Sequence, residues 1–443
     1  METQLDIINL LVQRHMNDVV AVIFSLLDVE SLRNCELVSK TWYVFVRDEN
    51  VWKRRYKKER KKNPHFHEAL YQRGKEQLKK SFLYKKLFNA KQNTEMNWIL
   101  GKYLTCSVEI GKFSIYFLTM DAKRIALAID GNSPSIMLLN RWTLKFNCLL
   151  TGAIQAPIRQ LQLQGDFIFS SHQDGTICQW DLISKQLVQH IQDKTDAENE
   201  DRIVLFHSAH NLLISCDRPY LPTADCFPDR YVQVPLHFDT RITIRRFLSP
   251  TGLAVERIED HSIAQVMRLE SDAKYFAIFM RTPTILKIQI RSIADFQVIR
   301  ELRVAYHAHA RYAYNFGWLV TVDSEKSIRF WDVETLTCKC IIPRHCFRNQ
   351  VLEIMLNSTY LIIIDIYRNV YLLSLPYFLK THVEFYCLFR TSQEEHYWNF
   401  CFDELQIVTL WISGSNHLRK LVIRDFMRYR LGDLDLLHCS SPY

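Results

Sequence analysis

The residues best suited to chemistry are Cys338, Cys340, His345 and Cys346, a short run of the side-chain types that hold zinc. Structural zinc needs four such ligands, usually as two pairs with two to four residues between pair members. Cys-x-Cys followed by His-Cys does not match that pattern, and no second pair lies at a suitable distance. The cluster is therefore expected to be structural, with no metal bound. Most other cysteines sit inside apolar runs (Cys106, Cys148, Cys178, Cys387), where a thiol behaves as a small hydrophobe. No glycine loop for phosphates, nucleophile elbow or His-Glu-x-x-His is present. The expectation is a binding protein with no catalytic residues and no cofactor.

Charge is the second chemical feature. The net charge of the 443 residues is +8, yet residues 53–91 alone carry 15 Lys+Arg against 3 Asp+Glu. That segment is +12, which leaves the rest of the chain near −4. Its densest run is Lys53, Arg54, Arg55, Lys57, Lys58, Arg60, Lys61 and Lys62. Such a run serves as a nuclear-import signal, a nucleic-acid contact or the solvated face of a linker helix. Trp52, Tyr56, Phe66, Leu70, Leu78, Phe82, Leu83, Leu87 and Phe88 interleave with it at roughly helical spacing, which favours a packed helical connector. Arg241, Arg245 and Arg246 form a second, smaller group that would suit an acidic or phosphorylated segment, but an exposed strand face is the more ordinary reading.

The elements that position these residues fall into two textures. Near the start, Val19, Val20, Ile23, Phe24, Leu26 and Leu27 recur at helical spacing, and Leu32, Cys35 and Val38 do so again after a break at Asp28–Ser31. The segment is too small to bury these groups alone, so the rest of the chain or a partner must cover them. From about Trp98 onward the pattern becomes short Ile/Val/Leu/Tyr/Phe runs between polar turns, as in strands. Glycine is scarce, with only 11 residues, so Asn, Asp and Ser are expected at the tight turn positions. Asp174-Gly175 predicts a type I′ hairpin turn. Residues 216–235, with four prolines, predict a long loop, and 193–201 an acidic insertion. No apolar run is long enough for a membrane helix and no secretory signal opens the chain, so a cytoplasmic or nuclear protein is expected.

Ser170–Leu182 (SSHQDGTICQWDL) and Thr321–Val333 (TVDSEKSIRFWDV) share a polar turn, an alternating strand and Trp-Asp. They resemble blades of the WD-repeat family. Fainter copies align Leu139, Trp180, Arg245 or Arg246, Ile290, Trp331, Leu373 and Ile423, mostly 41–50 residues apart with one step of about 65. The resemblance implies a propeller of seven blades, with His261, His309 and His345 near three blade entries. Only two blades keep Trp-Asp.

Read beside that propeller, Ile23-Phe24-Ser25-Leu26-Leu27-Asp28, Ser31-Leu32, Cys35, Leu37-Val38-Ser39-Lys40-Thr41-Trp42 and Val51-Trp52 resemble an F-box. The family's opening Leu-Pro is replaced near Met16-Asn17. The expected organisation is an F-box-like helical segment at 14–53, a basic helical linker at 54–97 and a diverged WD-repeat β-propeller at 98–430. The resemblance implies a substrate-recognition subunit of an SCF-type ubiquitin ligase. It would bind a Skp-type adaptor, and through it a cullin–RING ligase, by Val19, Val20, Ile23, Leu26, Leu27, Leu32, Cys35, Val38 and Trp42, and an unidentified protein substrate by the propeller. Phe24 and Trp52 are assigned to internal packing. The alternatives are a scaffold with a decayed F-box, or a nucleic-acid-binding protein using the basic linker.

Overall fold

The computed structural model describes residues 6–62, 64–75, 83–111, 113–130, 133–152, 154–192, 202–209, 212–219, 240–249, 252–261, 264–272, 274–282, 285–305, 311–315, 317–323, 325–346, 349–375, 386–389, 395–413 and 419–427. The chain divides into two compact units, one of residues 1–104 with 425–443 and one of residues 105–424.

The first unit is helical. It contains α1 (Ile7–Gln13), α2 (Asn17–Leu26), α3 (Val29–Glu36), α4 (Lys40–Val46), α5 (Glu49–Lys62), α6 (Pro64–Lys75) and α7 (Leu83–Ile99). Capping residues set the helix starts. Asp6 accepts from the Asn9 backbone N–H at 3.1 Å, Asp28 from that of Ser31 at 2.7 Å, and Ser39 from that of Trp42 at 3.2 Å. Each satisfies an amide left without a partner in the first helical turn. The Asp28–Ser31 break is thus the start of α3. Met16, by contrast, makes no side-chain cap for α2. Ile8, Val20, Phe24, Leu32, Cys35, Val46, Val51, Trp52 and Phe88 pack into one core drawn from six of the helices. Tyr56, Phe66, Leu70 and Leu87 of the expected connector are also buried; Leu78 and Phe82 lie outside the described residues. Trp98 stacks on Phe426 at 3.5 Å between ring centroids.

The second unit is a seven-bladed β-propeller built from four-stranded antiparallel sheets. Six blades use consecutive strands, and the seventh pairs Leu104–Gly111 with Arg419–Asp425, so early and late strands close the ring. The aligned positions Leu139, Trp180, Arg245 and Arg246, Ile290, Trp331, Leu373 and Ile423 all fall on the third strand of their blades, counted from the innermost. The apolar cores lie between neighbouring blades, as where Ala126 and Ile136 of the first meet Ile168 and Trp180 of the second. The innermost strands would leave backbone edges open, and polar side chains close several of them. The Gln160 amide donates to the Phe206 carbonyl at 2.7 Å and accepts from the Phe206 N–H at 3.1 Å; Gln162 does the same at Ser208. Asn315 donates to Leu356 O at 3.1 Å and Asn399 to Tyr116 O at 2.8 Å. Arg141, fully buried, ties the first blade to the seventh through Gln406 at 2.8 Å and Asp403 at 2.7 Å.

Several local expectations are corrected. Of the Asp174-Gly175 pair only Gly175 has positive φ, at 81°, and its N–H bonds the His172 carbonyl at 3.1 Å. This is a three-residue loop ending in one left-handed residue, not a type I′ turn. Asn140, Asp181, Ser292 and Asp332 do close hairpin turns, but as side-chain acceptors. The left-handed position passes to Leu144, Lys185, Phe296 and Leu336, at φ of 51–62°. Residues 216–219 belong to the strand Leu212–Pro219, with Cys216 buried, so the expected loop begins later; 220–235 and 193–201 lie outside the described residues.

Candidate functional site

α2 carries apolar residues on two faces, and the packing of Phe24 into the core decides which face is which. Val20, Ala21 and Phe24 enter the core; Met16, Val19, Val22 and Leu26 face solvent. The second face follows the i, i+3, i+7 spacing by which a helix meets a partner. A second exposed apolar group follows on α4 and the turn before it. Leu37, Val38 and Val44 are 85%, 58% and 64% exposed, beside 73% for Leu26 of the first group. α2 and α3 each pack against α4, so the two groups ride on helices in mutual contact. Burying one such side chain fully is worth about 1.5–3 kcal/mol.

The nine residues expected to meet a partner divide accordingly. Val19, Leu26 and Val38 are exposed; Ile23, Leu27 and Trp42 are half-buried against the core; Val20, Leu32 and Cys35 lie inside it. The last three are turned toward Phe24 and their neighbours and present nothing outward. Trp42 is held from both sides. Its indole N–H donates to Asp6 Oδ1 at 3.2 Å, and its ring meets Phe24 edge-on at 5.5 Å. Phe24 and Trp52 are buried, as their assignment to packing requires. Met16, Val22, Leu37, Tyr43 and Val44 were not among the residues expected from sequence to meet a partner. The caps at Asp28 and Ser39 fix the register of α3 and α4 and so point to Leu37, Tyr43 and Val44; no such signal marks Met16 and Val22.

The electrostatics around this face are mild. Two hydrogen bonds from Ser31 hold the Asp28 carboxyl below its ordinary pKa, as suits an ionised helix cap. Arg55 turns inward, donating to the Leu27 carbonyl at the end of α2, where a cation favours the helix dipole.

The other sequence candidates are structural. Cys338 and Cys340 lie on an outer strand and the Cys338 thiol approaches the Cys340 carbonyl at 3.4 Å. His345 and Cys346 sit in a short 3-10 turn, and no group of metal-binding side chains forms among the described residues. Arg245 is buried on Ser215 Oγ at 2.8 Å and Arg246 pairs with Glu256 at 3.0 Å, so neither is held out for a ligand. His261 ends a strand and His309 lies outside the described residues. The histidine that ties a blade together is His172. Its Nδ1 faces the Ala156 carbonyl at 2.9 Å and must donate, so Nε2 accepts from Ser170 at 3.1 Å. Ser170 Oγ in turn accepts from the Trp180 indole at 3.4 Å.

With this geometry in place, comparisons add one match to the helical unit. Residues 17–58 match the F-box-like family model, which takes in α2 to α4 and most of α5. An F-box-like region followed by a seven-bladed propeller is the arrangement of F-box/WD-repeat proteins, an architecture typical of non-catalytic receptors. No curated protein matches the chain. Among solved structures, a chain of the mitotic checkpoint complex is similar at 10% identity and a TM-score of 0.49, covering 72% of this chain and 90% of that one.

Proposed function

We propose that this protein is the substrate-recognition subunit of an SCF-type ubiquitin ligase, docking a Skp-type adaptor on the outward face of α2 to α4 and a protein substrate on the propeller. The observation that carries the reading is the exposed apolar set Val19, Val22, Leu26, Leu37 and Val38 within the F-box-like match. An adaptor groove would cover these residues while Val20, Leu32 and Cys35 keep the helices in place. The mechanism is positional. Tethering a substrate lysine near a charged conjugating enzyme raises its effective concentration, and the chain itself contributes no nucleophile or base. The proposed compartment is the cytoplasm, the nucleus or both.

Met16-Asn17 bears on strength. Proline at the first helical position would preset φ, and Asn17 lacks that preorganisation. Co-purification of the full chain with a Skp-type adaptor tests the reading. Wild type is expected to retain the adaptor, and a Leu26→Gln/Leu37→Gln variant to lose it while remaining folded. A wild-type chain that retains no adaptor ends the ligase reading. Adaptor binding without any conjugation that depends on the chain would favour a scaffold instead.

A further inference from the structure

We propose that the solvent face of α5 is a docking surface for the phosphate backbone of a nucleic-acid duplex, independently of adaptor binding. Six cations of this helix (Lys53, Arg54, Lys57, Lys58, Arg60 and Lys61) are exposed, while Val51, Trp52 and Tyr56 on its other side are buried. Two lysines of the neighbouring helix α7 are paired. Lys85 meets Glu36 at 3.0 Å, and Lys91 meets Glu59 at 3.2 Å and Glu95 at 3.0 Å. Both carboxylates of α5 are thereby drawn away from the cationic face, since Glu49 accepts from the Tyr84 N–H at 2.5 Å. Among the described residues no carboxylate forms an ion pair with any of the six.

What remains is a stripe of like charges at i, i+3 and i, i+4, spacing that is unfavourable for an isolated helix and suits a polyanion. Lys53 to Lys61 spans about 12 Å of helix axis, about three to four base-pair steps of a duplex. The face has no exposed apolar or aromatic side chain. That disfavours an acidic protein, because interface cores are poor in lysine and rely on aromatic or apolar anchors. It also disfavours a lipid surface, which needs an apolar face to insert, and single strands, which need rings for stacking. Phosphates of a duplex ask only for charge, and DNA and RNA share that chemistry.

The test is fluorescence anisotropy of labelled 20-base-pair DNA and RNA duplexes with the full chain between 50 and 200 mM salt. If all six cations engage, log K should fall against log salt with a slope near about −5. Lys57→Gln/Lys58→Gln/Lys61→Gln should weaken binding at least about 30-fold at 100 mM salt and flatten the slope by about 2.7. Lys102→Gln/Lys123→Gln/Lys145→Gln, neutralising the same charge elsewhere, should change affinity less than about threefold. Circular dichroism confirms that both variants are folded. Equal weakening by the two triple variants, no duplex binding at 50 mM salt, or preference for polyglutamate or anionic vesicles over duplex would overturn the proposal. The DNA and RNA arms tell which duplex is preferred.

Discussion

In the propeller the blades turn their large apolar side chains toward one another, and Gln160, Gln162, Asn315 and Asn399 close backbone edges that a neighbouring strand could otherwise use. Its exposed apolar residues, such as Phe146, Ile183, Leu248, Val298, Ile341 and Tyr367, are spread over many blades. In the helical unit α2 points Phe24 and Val20 inward and leaves Val22 and Leu26 in water, with Leu37, Val38 and Val44 close behind in sequence. In the propeller the exposed apolar residues are scattered from blade to blade; in the helical unit they gather on α2, α4 and the turn between α3 and α4. Unsatisfied apolar surface concentrated on a few helices marks a partner site more sharply than any single residue.

The contrast can be broken in graded steps. The largest effects come from the two interiors. Phe24→Ala should cost about 3–5 kcal/mol of stability by opening a cavity beneath Trp42. Arg141→Met should cost a similar amount, about 3–5 kcal/mol, by leaving Asp403 and Gln406 without their buried cation. Denaturant titration checks both. Either variant melting like wild type would mean that the core is not where it is described. Next comes the outward face: Leu26→Gln/Leu37→Gln should weaken the adaptor complex by about 3 kcal/mol, roughly two decades, with the melting temperature unchanged. A loss of stability instead would place these leucines in the core.

A third contrast is in proton binding. His67 is buried against Tyr56 and Phe66, and burial, helped by Lys91, lowers its pKa to about 4. The unfolded chain takes up a proton below about 6.5 that the folded chain refuses until about 4. Stability from His67 is therefore present above pH 6.5 and lost as pH falls through that window. Glu404 is the reverse. Burial, with Asp403 adjacent, raises its pKa to about 7, so its contribution is present below the unfolded value of 4.5 and lost as pH rises toward 7. Melting curves from pH 4 to 8 should show His67→Leu flattening the acid side and Glu404→Gln the neutral side. Each slope is at most about 1.4 kcal/mol per pH unit. A variant whose pH profile parallels wild type removes that group from the balance.

The smallest effects are at backbone positions. Lys185 is exposed and left-handed at φ 60°, so Lys185→Gly should stabilise by about 1 kcal/mol. Asn17→Pro, at the first position of α2, should add a few tenths of a kcal/mol and tighten adaptor binding by a similar factor.

Much of this was legible from residue order. The seven aligned positions landed on the third strand of each blade because that strand has a neighbour on either side and is buried on both faces, which writes the strongest apolar signal. The division of α2 was not legible. A helix apolar on two sides has no stripe to read, and only the packing of Val20 and Phe24 chooses the inner side. The left-handed Leu144 and Phe296 were hidden for a related reason, since packing overrides the turn preference for glycine or asparagine. Arg141 was invisible because its side-chain partners, Gln406 and Asp403, stand more than 260 residues away.

The most direct measurement is hydrogen–deuterium exchange of the full chain with and without a Skp-type adaptor. Slowed exchange across residues 16–27 and 37–47, with the strands of 105–424 unchanged, is the result expected of an adaptor seated on the outward face of α2 to α4. Unchanged exchange in those helices under saturating adaptor, or protection confined to the propeller, would contradict it.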